Sequence, residues 1–141
     1  MLKGSKTAEN LMKSFAGECQ ARTRYTYYSS IAKKEGYIQI ANIFMETAEQ
    51  EKEHAKIFLK FLKSEYNDEE IEIKASYPVA LHEETKNNLM KAADGENAEW
   101  TKDYPQFAQI AKKEGFNKIA MAYEKIAKIE ARHERRYRRL L

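Results

Sequence analysis

The sequence predicts an all-α protein, an antiparallel four-helix bundle with one long crossover between its second and third helices. Three observations carry this. Of 141 residues only 5 are Gly and 2 are Pro, too few turn formers for a many-stranded sheet. Apolar residues recur at helical spacing along four long stretches. A hexapeptide, IAKKEG, closes the first stretch at Ile31–Gly36 and returns at Ile110–Gly115, so the chain reads as two copies of one helical hairpin.

The first helix is expected from about Ser5 to Lys34, stopping at Gly36, a residue that accepts the left-handed conformation of a helix terminus. The second starts near Tyr37 and reaches about Glu65 on the stripe Ile40, Phe44, Thr47, Glu51, His54, Phe58, Phe61, in steps of four and three. The segment Tyr66–Ala80, holding Asn67, Asp68 and Pro78, is too long for a tight turn and suits a crossover. The third helix is expected over His82–Lys113, ending at Gly115. The fourth runs Asn117–Leu140 on the stripe Ile119, Tyr123, Ile126, Glu130, His133, Tyr137, Leu140. Tight turns at Gly36 and Gly115 make each neighbouring pair antiparallel, giving one domain, residues 1–141, built of two hairpins at about 5–65 and 82–140. Between Ile31–His54 and Ile110–His133, 11 of 24 positions are identical, Glu51/Glu130 and His54/His133 among them.

Composition narrows the function classes. A net charge of +3, from 25 basic and 22 acidic residues, is too balanced to argue nucleic-acid binding. No apolar run approaches the ~18 residues of a membrane span, and Met1–Ser5 opens no signal-peptide pattern. The single cysteine, Cys19, forms neither an internal disulfide nor a paired-cysteine metal site. A cytoplasmic location without nucleic-acid or membrane partners is the expectation.

Both core stripes contain the same anomaly. Glu51-x-x-His54 and Glu130-x-x-His133 place a carboxylate and an imidazole where a bundle calls for Leu or Ile. Helix one does likewise, since Leu11, Glu18, Tyr25 and Ala32 share a heptad position. Helix three offers the inward row Leu89, Ala92, Glu96, Glu99. Burying these acids together is prohibitive unless they are protonated or neutralised by metal ions. A Glu from each of two helices plus Glu-x-x-His from each of the other two is the ligand set of di-iron and di-manganese carboxylate bundles. Oxygen and imidazole donors suit iron and manganese. A single Glu-x-x-His on a helix surface would carry no such meaning; two copies on core stripes do.

These residues are where the chain resembles a known family. Phe15–Arg22 (FAGECQAR), Glu51–His54 (EKEH), Ala75–Pro78 (ASYP), Gly95–Trp100 (GENAEW) and Glu130–Glu134 (EARHE) resemble the ferritin-like di-iron domain of the rubrerythrins, from about Lys3 to Leu141. The resemblance implies a ferritin-like bundle and metal ligands at Glu18, Glu51, His54, Glu96, Glu99, Glu130 and His133, with Glu51 and Glu130 bridging. It also implies that Tyr25 and Tyr104 hydrogen-bond at the site. Members usually continue into a rubredoxin domain holding iron on four cysteines. The chain stops at Leu141, so it reads as a short member without that domain or as a piece of a longer one. Cys19 stands where Ser is expected. Turned about 100° from Glu18, it reads as a packing residue rather than a ligand.

Two further features admit two readings each. The repeat offset grows from 78 (Glu18 to Glu96) to 79, so one residue is inserted near Pro105, either as a π-bulge or beside a plain proline kink. Arg132, Arg135, Arg136, Arg138 and Arg139 read as a solvated helix end favoured by the dipole, or as a docking patch for an acidic electron carrier.

The resemblance implies a peroxidase that protects against oxidative stress. It would reduce hydrogen peroxide to water at two irons, oxo-bridged when oxidised, with manganese or zinc as other occupants. A rubredoxin-like or other small carrier would supply electrons in trans to a homodimer, whose long crossover would permit domain swapping. The alternatives are a ferroxidase or iron store of ferritin type, and a structural domain holding zinc. Four Glu and two His complete the usual ligand set, so Glu99 needs its own reason. Harder ferric iron prefers anionic oxygen to imidazole. Glu99 is therefore expected to exchange with His54 between oxidised and reduced states, the competing role being a proton relay.

Overall fold

In a computed structural model describing residues 1–141 the chain is all-helical. Helix α1 spans Lys6–Lys34 and α2 Ile38–Tyr66. The third rod is continuous but of mixed pitch: α3 (Thr85–Ala98), a π-helical turn (Glu99–Asp103) and α4 (Tyr104–Lys113). Helix α5 covers Asn117–Leu140. The two hairpins pack α1 on α2, and α3 and α4 on α5. No helix is long and apolar enough to cross a membrane.

The repeated hexapeptide does two jobs. Gly36 and Gly115 both adopt φ 89°, where a side chain would be strained. Each turn closes the same way, Tyr37 N–H to the Ala32 carbonyl at 2.9 Å and Phe116 N–H to the Ala111 carbonyl at 2.8 Å. The Glu before each glycine then caps the other hairpin. The Glu35 carboxylate accepts from Thr85 N–H at 2.7 Å, at the start of α3. Glu114 accepts from Thr7 N–H at 2.8 Å, at the start of α1. Both satisfy helix N-terminal donors that have no partner within the helix.

Helix three begins three residues later than expected. The Glu35 cap fixes the start at Thr85, and the Asn88 side chain clasps both the N–H and the carbonyl of His82 at 2.8 Å, holding it out of the helix. Helix α2 runs one residue beyond the expected Glu65. Its last residue, Tyr66, accepts Gly4 N–H at its hydroxyl at 2.9 Å, and Asn67 supplies a left-handed cap at φ 41°. The crossover between them is irregular but anchored. The Tyr28 hydroxyl donates to the Ala80 carbonyl, and the Tyr77 hydroxyl donates to the Lys13 carbonyl at 2.7 Å. Tyr77 packs over the mid-helix Gly17 without requiring glycine there. A Cβ on Gly17 would lie 3.4 Å from the Tyr77 ring.

The inserted residue near Pro105 is a π-turn, closed by Tyr104 N–H bonding to the Glu99 carbonyl five residues back. Two apolar clusters make the core. One gathers Leu11, Phe58, Tyr104, Tyr123 and Ile126; the other gathers Tyr25, Phe44, Leu89 and Tyr137. Along every helix the inward acids fall between these clusters. Glu18 lies between Leu11 and Tyr25, Glu51 between Phe44 and Phe58, and Glu130 between Ile126 and Tyr137. The bundle is thus greasy at both ends of its core and polar in the middle.

Candidate metal centre

The polar middle layer is fully enclosed. Glu18, Glu51, Glu96 and Glu130 have no exposed surface, and His54 and His133 retain 5% and 6%. Their ligating atoms form two overlapping groups. Glu18, Glu51, His54 and Glu130 have donor atoms within 4.8 Å of one another; so do Glu51, Glu96, Glu130 and His133. Glu51 and Glu130 belong to both, the placement a bridging carboxylate needs. His54 Nδ1 faces Glu51 at 3.2 Å, Glu18 at 3.3 Å and Glu130 at 3.4 Å. His133 Nδ1 faces Glu130 at 3.2 Å, Glu96 at 3.5 Å and Glu51 at 3.6 Å.

Electrostatics show that the cluster lacks a counter-charge of its own. Burial, reinforced by the Glu18 and Glu96 carboxylates, pushes Glu51 well above the usual carboxylate range. Burial and the neighbouring acids Glu51, Glu96 and Glu18 do the same to Glu130. Both oxygens of Glu51 and of Glu130, one oxygen each of Glu18 and Glu96, and Nδ1 of both histidines lack hydrogen-bond partners. Buried polar atoms are ordinarily satisfied. Eight orphaned donor atoms converging on one spot fit a pair of cations. Four carboxylates match the charge of two divalent ions, and neutral Nδ1 lone pairs complete each set.

Tyrosines tie the two repeats together. Tyr25 of α1 donates to Glu96 of α3 at 2.7 Å, and Tyr104 of α4 donates to Glu18 of α1. Burial first, and the adjoining acid second, raises both phenols well above their ordinary pKa, so they stay protonated as donors. Tyr104 lies 3.0 Å from Glu99 as well. A phenol has one proton, so both of its contacts are hydrogen bonds only when Glu99 or Glu18 carries a proton. Burial, with Glu18 and Glu96 nearby, raises Glu99 in that direction. Glu99 stands outside both four-residue groups, on the π-turn beside Glu18, and is the one acid of the five with some exposed surface.

Several residues around the cluster carry no signal in the linear pattern. His133 Nε2 meets the Gln50 side-chain oxygen at 2.5 Å, which directs its Nδ1 lone pair inward. Glu134 accepts from Trp100 Nε1 at 2.6 Å, Asn97 at 3.1 Å and Arg138 Nε at 2.7 Å, joining the π-turn to α5. The repeat offset places Ile129 opposite Gln50, one of 13 differing positions among 24, so the repeat does not single it out. Cys19 is half-buried in a groove between α1 and α2 and joins neither ligand group. Two of the five terminal arginines cross-link helices: Arg136 reaches Glu46 at 2.9 Å, and Arg138 reaches Asp94 at 3.2 Å.

The sequence profile of the Rubrerythrin family matches residues 9–141. Rubrerythrin of Clostridium perfringens is 61% identical over 139 residues, covering 99% of this chain and 71% of that protein. Rubrerythrin-1 of Clostridium acetobutylicum is 61% identical over 141 residues, covering 99% of this chain and 72% of that one. Among solved structures, fully reduced, all-ferrous nigerythrin superposes with a TM-score of 0.82 at 32% identity, covering 97% of this chain and 69% of that one.

Proposed function

From the premise that the chain belongs to the rubrerythrin family, we propose that it is a non-haem di-iron peroxidase that reduces hydrogen peroxide to water. The observation that supports the reading best is the pair of overlapping ligand groups sharing Glu51 and Glu130. It combines with a protonatable Glu99–Tyr104–Glu18 chain at the edge of the same site. The reaction consumes one peroxide, two electrons and two protons and yields two waters. When bound, a ferrous pair supplies both electrons.

The protein's own residues do the rest. Glu18, Glu51, Glu130 and His54 are assigned to hold one ion, and Glu51, Glu96, Glu130 and His133 the other. The two core clusters exclude bulk water from either end of the bundle, which strengthens electrostatic interactions inside. Glu99, the one acid of the five with exposed surface, is shifted by burial and the nearby Glu18 and Glu96 toward its protonated form, and is assigned to hold a proton where an incoming oxidant needs one. Once deprotonated, the same carboxylate is an anionic oxygen ligand beside Glu18. We assign Glu99 to take the place of His54 in the oxidised state.

Electrons for the next cycle are assigned to a small redox protein acting in trans, and the assembly to a homodimer, with exchange of hairpins through the crossover as its swapped form. Light scattering at micromolar concentration tests the dimer. Stopped-flow oxidation of the diferrous protein tests the peroxidase: hydrogen peroxide should oxidise it faster than dioxygen does. The opposite order would assign it to iron oxidation or storage.

A further inference from the structure

The buried acid layer is approached from two sides. Glu99 lines hollows walled by α1, the crossover and the third rod. His54 lines a separate opening of about 430 Å³ between α2 and α5, which shares no residue with them. The imidazole retains 5% exposure there, with Nδ1 turned inward to Glu51, Glu18 and Glu130. One ring thus reaches from the opening to three of the carboxylates.

The walls of the two sides differ in charge. Beside Glu99, the basic Lys13, Arg24 and Lys91 are mixed with Asp94 and Asp103. The His54 opening holds Lys118 and Lys125 and no acid. Acids close by in sequence are engaged elsewhere: Glu124 faces Lys112 at 3.4 Å, and Glu53 lines the groove between α1 and α2. Apolar side chains fill the space between the lysines, Ile57 and Met121 being exposed by 39% and 55% with Ile129 beneath. An exposed apolar patch edged by charge of one sign is the form of a contact surface, and its sign selects an oppositely charged partner. The grooves between α1 and α2 also carry lysines, but Glu53, Asp68 and Glu69 stand among them, and none of the acids or histidines of the buried cluster lines either.

We propose that the opening between α2 and α5 is the docking surface for a small acidic one-electron carrier, which seats on Ile57 and Met121, is steered by Lys118 and Lys125, and delivers its electrons through His54. The inference rests on the reading above that electrons arrive in trans. Two reduced carriers each lose one electron, and the diferric pair gains both and becomes diferrous. Electron tunnelling falls steeply with distance, so a carrier must settle against a group that touches the centre. A second copy of the chain is a poorer occupant: in a twofold dimer through this face each patch meets itself, setting lysine against lysine. The arginine-rich end of α5 is the rival landing site, but two of its arginines are already paired, with Glu46 and Asp94.

The test follows reduction of the diferric protein by reduced rubredoxin, a small acidic iron–sulfur protein, in stopped flow, with iron content and helicity checked for every variant. Lys118→Glu/Lys125→Glu should lower the second-order rate about tenfold or more at an ionic strength of about 0.01 M. The gap should close at about 1 M, where screening shortens from about 30 Å to about 3 Å. Met121→Ser should lower the rate about threefold at either salt, because it removes apolar contact rather than charge. Arg135→Glu/Arg139→Glu, at the arginine-rich end, should stay within about threefold of the wild type. A second readout is structural. Carbodiimide cross-linking of oxidised rubredoxin to the iron-loaded chain, mapped by mass spectrometry, should join its carboxylates to Lys118 and Lys125. A wild-type rate in the lysine variant, an equal loss in the arginine variant, or cross-links confined to Lys52, Lys56, Lys60 and Lys63 would overturn the proposal, as would a wild type that rubredoxin neither reduces nor binds. If hydrogen peroxide oxidises the diferrous protein no faster than dioxygen, the peroxidase reading fails on its own, and the cross-links still decide where the carrier docks.

Discussion

Tyr25 and Tyr104 occupy equivalent places in the two hairpins, 79 residues apart, and each gives its proton to the other hairpin's carboxylate, Tyr25 to Glu96 and Tyr104 to Glu18. The pair therefore stitches the repeats across the buried acid layer. Removing one donor leaves a buried carboxylate oxygen without its partner, which costs about 1–3 kcal/mol. Tyr25→Phe and Tyr104→Phe should each lower the unfolding free energy of the iron-free protein by about that amount. Denaturant titration measures it.

Glu99 lies outside both ligand groups, so Glu99→Ala should still bind two irons per chain. It should oxidise with peroxide about 10- to 100-fold more slowly, because the proton-holding group is gone. Metal analysis and single-turnover kinetics check the two halves separately. Crystals in oxidised and chemically reduced states would test the ligand exchange with His54; identical ligands in both would exclude it.

The two histidines differ in their outer partner. Gln50 holds His133 Nε2 at 2.5 Å, whereas the equivalent position beside His54 is the apolar Ile129. Gln50→Leu should weaken metal binding about 10- to 100-fold at one of the two positions, the one holding His133. Ile129→Gln should tighten the other. Cobalt titration, followed by its visible bands, resolves both.

Acidity should act on the iron-free protein in two opposed ways. Burial and like charge hold Glu51 and Glu130 above their ordinary pKa of 4.5 in the folded chain. The folded state then binds more protons than the unfolded one above that pH, and stability falls as pH rises through the folded values. Glu35 is lowered by the Thr85 hydroxyl and N–H. Glu114 is lowered too, because hydrogen bonds from Thr7 outweigh its burial. Their contribution is present above the ordinary carboxylate pKa and lost as pH falls. The iron-free protein should be most stable near pH 5 and less stable at pH 8. Two bound ions should reverse that slope, since the ligands must deprotonate to bind them. Thermal unfolding across this range, with and without metal, gives the comparison.

Glu134 ties the π-turn to α5. Burial works to raise its pKa, but hydrogen bonds from Trp100, Asn97 and Arg138 outweigh it and hold the carboxyl below its ordinary value. Trp100→Phe removes the indole donor at 2.6 Å and should cost about 1.5–3 kcal/mol, a hydrogen bond to a charged group. Protection of the Glu99–Asp103 amides should fall first in hydrogen exchange, because the turn loses its tie to the neighbouring helix.

Periodicity, two tight-turn glycines and the repeated hexapeptide made the bundle legible in the linear chain, because helical spacing and chain reversal are local properties. The acids were legible for the same reason. A carboxylate on an otherwise apolar stripe of period 3.6 faces inward wherever the helix packs, and two copies of Glu-x-x-His mark a shared centre. Residue counting also located the insertion near Pro105. It did not decide between a kink and a π-turn, since that choice depends on whether Tyr104 N–H finds the Glu99 carbonyl five residues back. Tertiary structure alone decided the partnerships: Tyr25 with Glu96, Tyr104 with Glu18, Gln50 with His133, Glu35 and Glu114 as caps on the opposite hairpin, and Tyr77 on Gly17. Each of these joins residues from different elements, at a distance fixed by how helices cross and how an irregular crossover lies over them. A sequence records which face a side chain takes, and only the packed bundle determines what it meets there.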